Sequence, residues 1–331
     1  MNMQRNAFIV NVFIFSIFVI FIFNVDISAQ EKPITPEISG FGDVLLSIDE
    51  SQSDDFDFQI GQLELDVAAR LKPHVQVEAA VAYDGEESFE IGAFIIDFHL
   101  LGEVDWHYHR SGRVRHSGVM VGRFDVPFGI DWRVYPSIDR QLISVPQAVE
   151  LTHNEWNDIG VHGYLETENF NAAMYIVNGF EYKADPALTA SSAFGGRFGV
   201  VASEKLEIGG SMALLSVEDP DIDMLMLGAD AGFGAGDFTG KAELIAHTIE
   251  APGGDDITNV GFYAQGKYDF ENFYGIARLG VFSYDESDDN DNYRLSLGGG
   301  MPLADDCLLR FEYQANSEDS DVGLVQIAVG F

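Results

Sequence analysis

The 331 residues carry 18 Lys plus Arg against 54 Asp plus Glu, a formal charge of −36, and are 47% hydrophobic with 34 Gly, 10 Pro and one Cys. Such an acidic chain, with no basic patch to track phosphates, excludes nucleic acid as a partner, and the lone Cys307 excludes an internal disulfide. The apolar content excludes a disordered chain, while the length fits either two ordinary domains or one closed sheet.

At the N-terminus Arg5 precedes a nearly unbroken apolar run from Ala7 to Phe23, and Ile27-Ser28-Ala29 places small residues before Gln30. This pattern predicts a signal peptide over residues 1–29, cleaved after Ala29, and a short periplasmic N-terminal segment over 30–36. A retained membrane helix is the rival, because the run approaches the roughly 20 residues needed to span a bilayer. No later stretch is long and apolar enough to be a second spanning helix.

From residue 37 onward the dominant period is two, in segments of about ten residues, the length a tilted strand needs to cross a membrane. Leu63, Leu65 and Val67 alternate with Gln62, Glu64 and Asp66; Phe311 and Tyr313 alternate with Arg310 and Glu312. The predicted strands run Glu37 to Ile48, Gln59 to Leu71, Val75 to Asp84, Ser88 to Leu101, Gly118 to Phe124, Ile159 to Glu166, Phe170 to Asn178 and Ala193 to Ala202. They continue Leu206 to Val217, Asp223 to Phe233, Asp237 to Thr248, Thr258 to Phe270, Phe273 to Asp285, Tyr293 to Met301, Cys307 to Asn316 and Val322 to Phe331. Gly102 to Ser117 is placed as an extension of one hairpin, with a further strand as the alternative.

Alternation alone would suit a soluble sandwich, so the connections decide. Short links, such as Leu71 to His74, Ser203 to Lys205 and Ala304 to Asp306, alternate with longer, acidic ones, such as Asp49 to Asp57, Gly179 to Ser191 and Asp285 to Asn292. Tight periplasmic turns on one side and long external loops on the other describe an all-β transmembrane antiparallel barrel of about sixteen strands over 37–331. The even count returns both ends to the periplasm, and the expected place is the outer membrane of a Gram-negative-type bacterium. Its acidic loops would meet lipopolysaccharide.

A barrel of this size leaves an aqueous lumen rather than a filled core, so it implies a channel for passive diffusion of ions and small hydrophilic solutes. Arg197, Lys241, Lys267, Arg278, Arg294 and Arg310 all fall on the polar side of their strands and form the predicted lumen wall. The connection from Asp125 to Asn157 exceeds the roughly 12 to 15 residues beyond which a loop is usually functional. Folded inward, with Arg123 at its entrance, it would set Asp125, Asp131, Asp139, Glu150 and Glu155 against the basic wall, and facing rows of charge select solutes by sign. The competing reading is a structural or adhesive barrel whose lumen is plugged.

Gly323, Val325, Ile327, Val329 and terminal Phe331 resemble the C-terminal signature by which outer-membrane barrels are recognised for insertion, which implies the barrel-assembly machinery as a partner. Val121-Gly122-Arg123-Phe124-Asp125-Val126-Pro127-Phe128-Gly129 and Tyr175-Ile176-Val177-Asn178-Gly179 are similar to motifs of the phosphate-selective porin O and P family. That resemblance implies a porin barrel with an inward-folded loop and, in the best-known members, a basic ladder that passes anions. Porins are commonly homotrimers; the sequence leaves the oligomeric state open. With so little lysine and so much acid, this chain carries over the porin role and not the phosphate selectivity.

Other constellations are weaker. His107 and His109, two apart in Trp106-His107-Tyr108-His109, lack the further ligands a metal needs. Asp285 to Asp291 is calcium-like in composition but lacks the sixth-position Gly and twelfth-position Glu of an EF-hand loop. No nucleophile elbow or zinc-protease motif is present, so neither a cofactor nor catalysis is expected.

Overall fold

The period-two pattern closes on itself. The computed structural model describes residues 34–49, 56–83, 85, 88–101, 116–180, 189–203, 205–217, 222–250, 256–285 and 291–331. Among these, sixteen strands form a closed antiparallel barrel in which each pairs with its sequence neighbours and the first pairs with the last. They are β1 (Glu37–Asp49), β2 (Asp57–Lys72), β3 (Val75–Tyr83), β4 (Glu90–Leu101), β5 (His116–Asp125), β6 (Asn157–Glu166), β7 (Phe170–Val177) and β8 (Ala190–Ser203). The second half comprises β9 (Leu206–Val217), β10 (Ile222–Ala235), β11 (Phe238–Ile249), β12 (Ile257–Asp269), β13 (Tyr274–Ser283), β14 (Asn292–Ala304), β15 (Cys307–Asn316) and β16 (Val322–Gly330).

Closure removes the sheet edges that would otherwise expose unpaired backbone groups. The seam pairs Val44 with Ile327 and Asp43 with Ala328, and the Phe331 and Gly40 backbones exchange hydrogen bonds of 2.9 and 3.0 Å. β4 and β5 pair directly, Leu101 opposite Ser117, so no strand intervenes there; residues 102–115, with His107 and His109, lie outside the described residues. The predicted signal peptide also lies outside them.

The two faces differ as the alternation requires. Phe311 and Tyr313 are each 49% exposed, whereas Arg310 and Glu312 are buried. Leu65, Phe94, Met174, Phe198, Leu214, Leu244, Leu279, Leu297 and Ile327 are likewise exposed. So wide an apolar exterior exceeds what a water-soluble monomer presents and suits a hydrocarbon surround. Aromatic pairs flank the short turns: Phe270 and Phe273 stack at 4.5 Å, and Phe170 lies 5.8 Å from Phe198. These rings have the interfacial placement of an aromatic girdle.

Short turns, such as 73–74, 236–237 and 305–306, share one end of the barrel with both of its termini. The strand ends Asp49 and Asp57, Val177 and Ala190, and Ser283 and Asn292 lie at the opposite end, and the 126–156 segment leaves the wall there too.

Candidate pore constriction

The 126–156 segment folds inside the barrel because its apolar side chains find an apolar seat there. Val126, Phe128, Ala148, Val149 and Trp156 are all buried in one cluster with Tyr175 and Val177 of β7, Ala213 and Leu215 of β9, Met224 and Met226 of β10, Ile245 of β11 and Tyr263 of β12. Burying each large side chain contributes about 1.5–3 kcal/mol. The wall over β7–β12 therefore carries a patch of apolar side chains on its inner as well as its outer face.

Local backbone chemistry shapes the segment. Gly129 has φ +72°, donates its N–H to Ser211 Oγ at 3.0 Å, and would place any Cβ against the Glu243 carboxylate, so only glycine fits this turn. Pro146 leads into a one-turn helix, α1 (Gln147–Glu150), which packs on β11, β12 and β13. Asn154, at φ +49°, closes the turn after it by donating its N–H to Val149 O at 2.7 Å. On the wall, a Cβ at Gly261 would lie 2.9 Å from the Cβ of Ala148, and one at Gly228 would lie 3.3 Å from the Phe128 ring. Glycine at these wall positions makes room for the loop.

Polar contacts complete the seat. Asp131 pairs with Lys241 and accepts a 2.8 Å hydrogen bond from Tyr263 Oη. Arg278 donates to Ser144 O and Val145 O, both at 3.0 Å, and lies 3.6 Å from Glu312, which in turn accepts the Ser144 N–H at 2.8 Å. Arg294 reaches Glu150 at 2.7 Å, and Arg310 donates to Ser137 O at 2.5 Å and Ile138 O at 2.7 Å. Arg133 pairs with Glu166 of β6, and Gln62 of β2 accepts the Ser137 N–H at 2.7 Å.

In these contacts the loop and the basic wall touch directly, where the sequence suggested facing rows of charge that select solutes by sign. Lys241, Arg278, Arg294 and Arg310 do point inward, but they hold the loop. Apolar packing brings the two surfaces within reach, and opposite charges so placed pair rather than stay apart. Arg197 and Lys267 do not meet the loop: Arg197 binds Asp230 at 2.6 Å and Asn171 at 2.8 Å, and Lys267 binds Asp269 at 2.8 Å. Glu155 is also taken up within the loop, by Arg140, whose guanidinium burial pulls down to about 10. Asp139 is exposed beside a cavity of about 240 Å³ between loop and wall.

The larger space lies on the other side of the loop. A cavity of about 420 Å³ is lined by Gln62, Glu64, Gln76 and Glu78 of β2 and β3, Glu90 and Asp97 of β4, Arg123 and Asp125 of β5, and Trp132, Tyr135 and Glu155 of the loop. Arg123 donates to Asn157 Oδ1 at 2.6 Å and lies 3.6 Å from Glu90; Asn157 donates to Asp125 at 2.9 Å. Glu64, Glu78, Glu90 and Asp97 were not singled out by sequence reasoning, although their inward positions follow from the same alternation that placed the basic residues. His99, on this wall, lies 3.0 Å from Asp97. Behind the loop His153 is buried against Phe128 at 4.9 Å, and burial pushes its imidazole down to about 3.

No family model and no curated protein matches the chain. Solved structures do. An anion-selective porin from Comamonas acidovorans is 13% identical with a TM-score of 0.68, over 90% of this chain and 100% of that one. The outer membrane channel DcaP of Acinetobacter baumannii is 11% identical with a TM-score of 0.64, over 93% and 100%. OmpT, an outer membrane protein of Vibrio cholerae, in a trimer form, is 10% identical with a TM-score of 0.65, over 91% and 100%. The fold is that of an outer-membrane barrel. At these identities the likeness is one of fold.

Proposed function

We propose that this chain is an outer-membrane porin that lets ions and small hydrophilic solutes diffuse past the infolded loop. The observation that supports this reading is the division of the lumen: the loop is fastened to one side, and about 420 Å³ lined largely by polar side chains remains on the other. Channel and porin neighbours share the fold. In this reading residues 1–29 are the export signal and 30–36 a periplasmic lead-in. The terminal strand with Phe331 is the mark for the assembly machinery, the acidic loops face lipopolysaccharide, and the oligomer is a homotrimer, in keeping with the trimer form of one neighbour.

The resemblance of 121–129 to the phosphate-selective porins is not carried over to an anion ladder, since Lys241, Arg278, Arg294 and Arg310 are occupied by the loop. The dense apolar seat over β7–β12 favours one other reading, a barrel whose lumen is sealed. Planar-bilayer recording of the purified, heat-modifiable protein decides between them. Ohmic single-channel steps are expected; an inserted protein that never conducts would establish the sealed barrel.

A further inference from the structure

The charges inside the barrel are segregated, and the segregation has a chemical consequence. Of the basic side chains of β11 to β15 that meet the loop, Lys241 is paired with Asp131 and Arg294 with Glu150 of the loop, Arg278 lies by Glu312, and Arg310 is held by the Ser137 and Ile138 carbonyls. The open space opposite is bordered by Glu64, Glu78, Glu90, Asp97 and Asp125, with Arg123 as its one guanidinium or ammonium among the described residues. Neither Glu64 nor Glu78 has an ion-pair partner among the described residues, and Arg123 is itself spoken for by Glu90 and Asn157. A solute crossing here meets a wall of clustered carboxyl groups in a confined space, where each ionised one is less screened than charge at the mouth.

Two further features point to the kind of solute. His162 lines the same cavity, is only 1% exposed, and its Nε2 has no hydrogen-bond partner. A buried polar atom left unpaired is costly, and an imidazole nitrogen can act as donor or acceptor according to its tautomer. The Trp132 and Tyr135 rings line the cavity on the same side as His162, and the Trp132 ring already carries the Arg133 guanidinium at 4.7 Å, a contact of the kind a cation with apolar surface makes. Carboxylates alone would suit any hydrated metal ion, whereas carboxylates beside aromatic faces suit an organic ammonium.

We propose that the cavity between the loop and β2–β5 is a cation-selective path whose preferred permeants are small organic ammonium ions, recognised by Glu64, Glu78, Asp97 and Asp125 and by the Trp132 and Tyr135 faces. This inference rests on the porin reading. The two part in one set of bilayer recordings. With a KCl gradient, the wild-type channel passes potassium in preference to chloride, and Glu64→Gln with Glu78→Gln lowers that ratio by at least about threefold. Adding 1,4-diaminobutane at millimolar concentration reduces the potassium current, while the uncharged 1,4-butanediol does not, and the double variant loses the difference. Neutralising Glu318 and Asp319, in the 317–321 connection between β15 and β16, changes the ratio less.

A protein that inserts and never conducts defeats the porin reading itself. A conducting channel that prefers chloride, or that diamine and diol affect alike, overturns the cation path and leaves the porin standing. The diamine comparison uses wild-type protein, so it holds even where the double variant fails to assemble.

Discussion

His153 sits where a proton is least welcome. Its ring is buried beside Phe128, its Nδ1 is 3.0 Å from Thr152 Oγ1, and burial lowers its pKa from the ordinary 6.5 to about 3. Because the docked loop holds this histidine neutral while a released loop would let it take up a proton near 6.5, the released state binds more protons between those values. Docking stability contributed by His153 is therefore complete above about pH 6.5 and declines as pH falls toward 3, by roughly 1.4 kcal/mol per pH unit for one proton. Trp132 and Trp156 lie in the same loop and are buried, so they report its release. Lowering the pH from 7 to about 4.5 should red-shift tryptophan emission, and His153→Phe, which removes the titrating group, should flatten that response. An identical acid response in both proteins would assign the effect to other titrating groups at the loop and its seat instead.

At the scale of elements, the contact of α1 with β12 depends on an absent side chain. Gly261 faces Ala148, and a leucine there must displace the helix or the strand, an overpacking that costs about 1–3 kcal/mol. β12 is fixed by two neighbouring strands, so the helix yields, and it moves toward the open half of the lumen. Gly261→Leu is expected to lower single-channel conductance. Gly234→Ala, whose new Cβ would meet nothing nearer than 3.9 Å, should not. Unchanged conductance in Gly261→Leu would mean that the helix does not border the path. These contacts also show what could be read from residue order and what could not. Alternation located all sixteen strands, and it placed Arg278, Arg294 and Arg310 inward, because a closed sheet turns a period of two directly into inside and outside. Their partners were out of reach of that argument: Ser144, Glu150 and Ser137 meet them only through long-range folding of the loop. One signal was present and unread. Ser211 to Val217 and Ile222 to Leu227 are apolar on nearly every residue, where a water-filled lumen would require polar alternation, and that is where the loop is seated.

For the whole molecule, two fields compete over what may pass. The charge of −36 is spread over long connections at one end as well as over the lumen, and both would concentrate cations. They respond differently to salt. The screening length is about 10 Å at 0.1 M and about 3 Å at 1 M, so the contribution of exposed loop acids collapses across that range. Carboxylates within a confined wall, such as Glu64, Glu78 and Asp125, act on an ion passing at near contact and keep most of their effect. The ratio of potassium to chloride permeability should therefore fall between about 0.1 and 1 M KCl without reaching unity. In Glu64→Gln with Glu78→Gln the same titration should fall closer to unity than in the wild type, because fewer inner carboxylates, Asp97 and Asp125 among them, remain beside the screened outer field. Reversal potentials measured at fixed gradient ratio and rising mean concentration separate the two curves. Wild-type channels that lose all preference at 1 M would place the selecting charge at the mouth, and the inner carboxylates would then serve the architecture of the lumen alone.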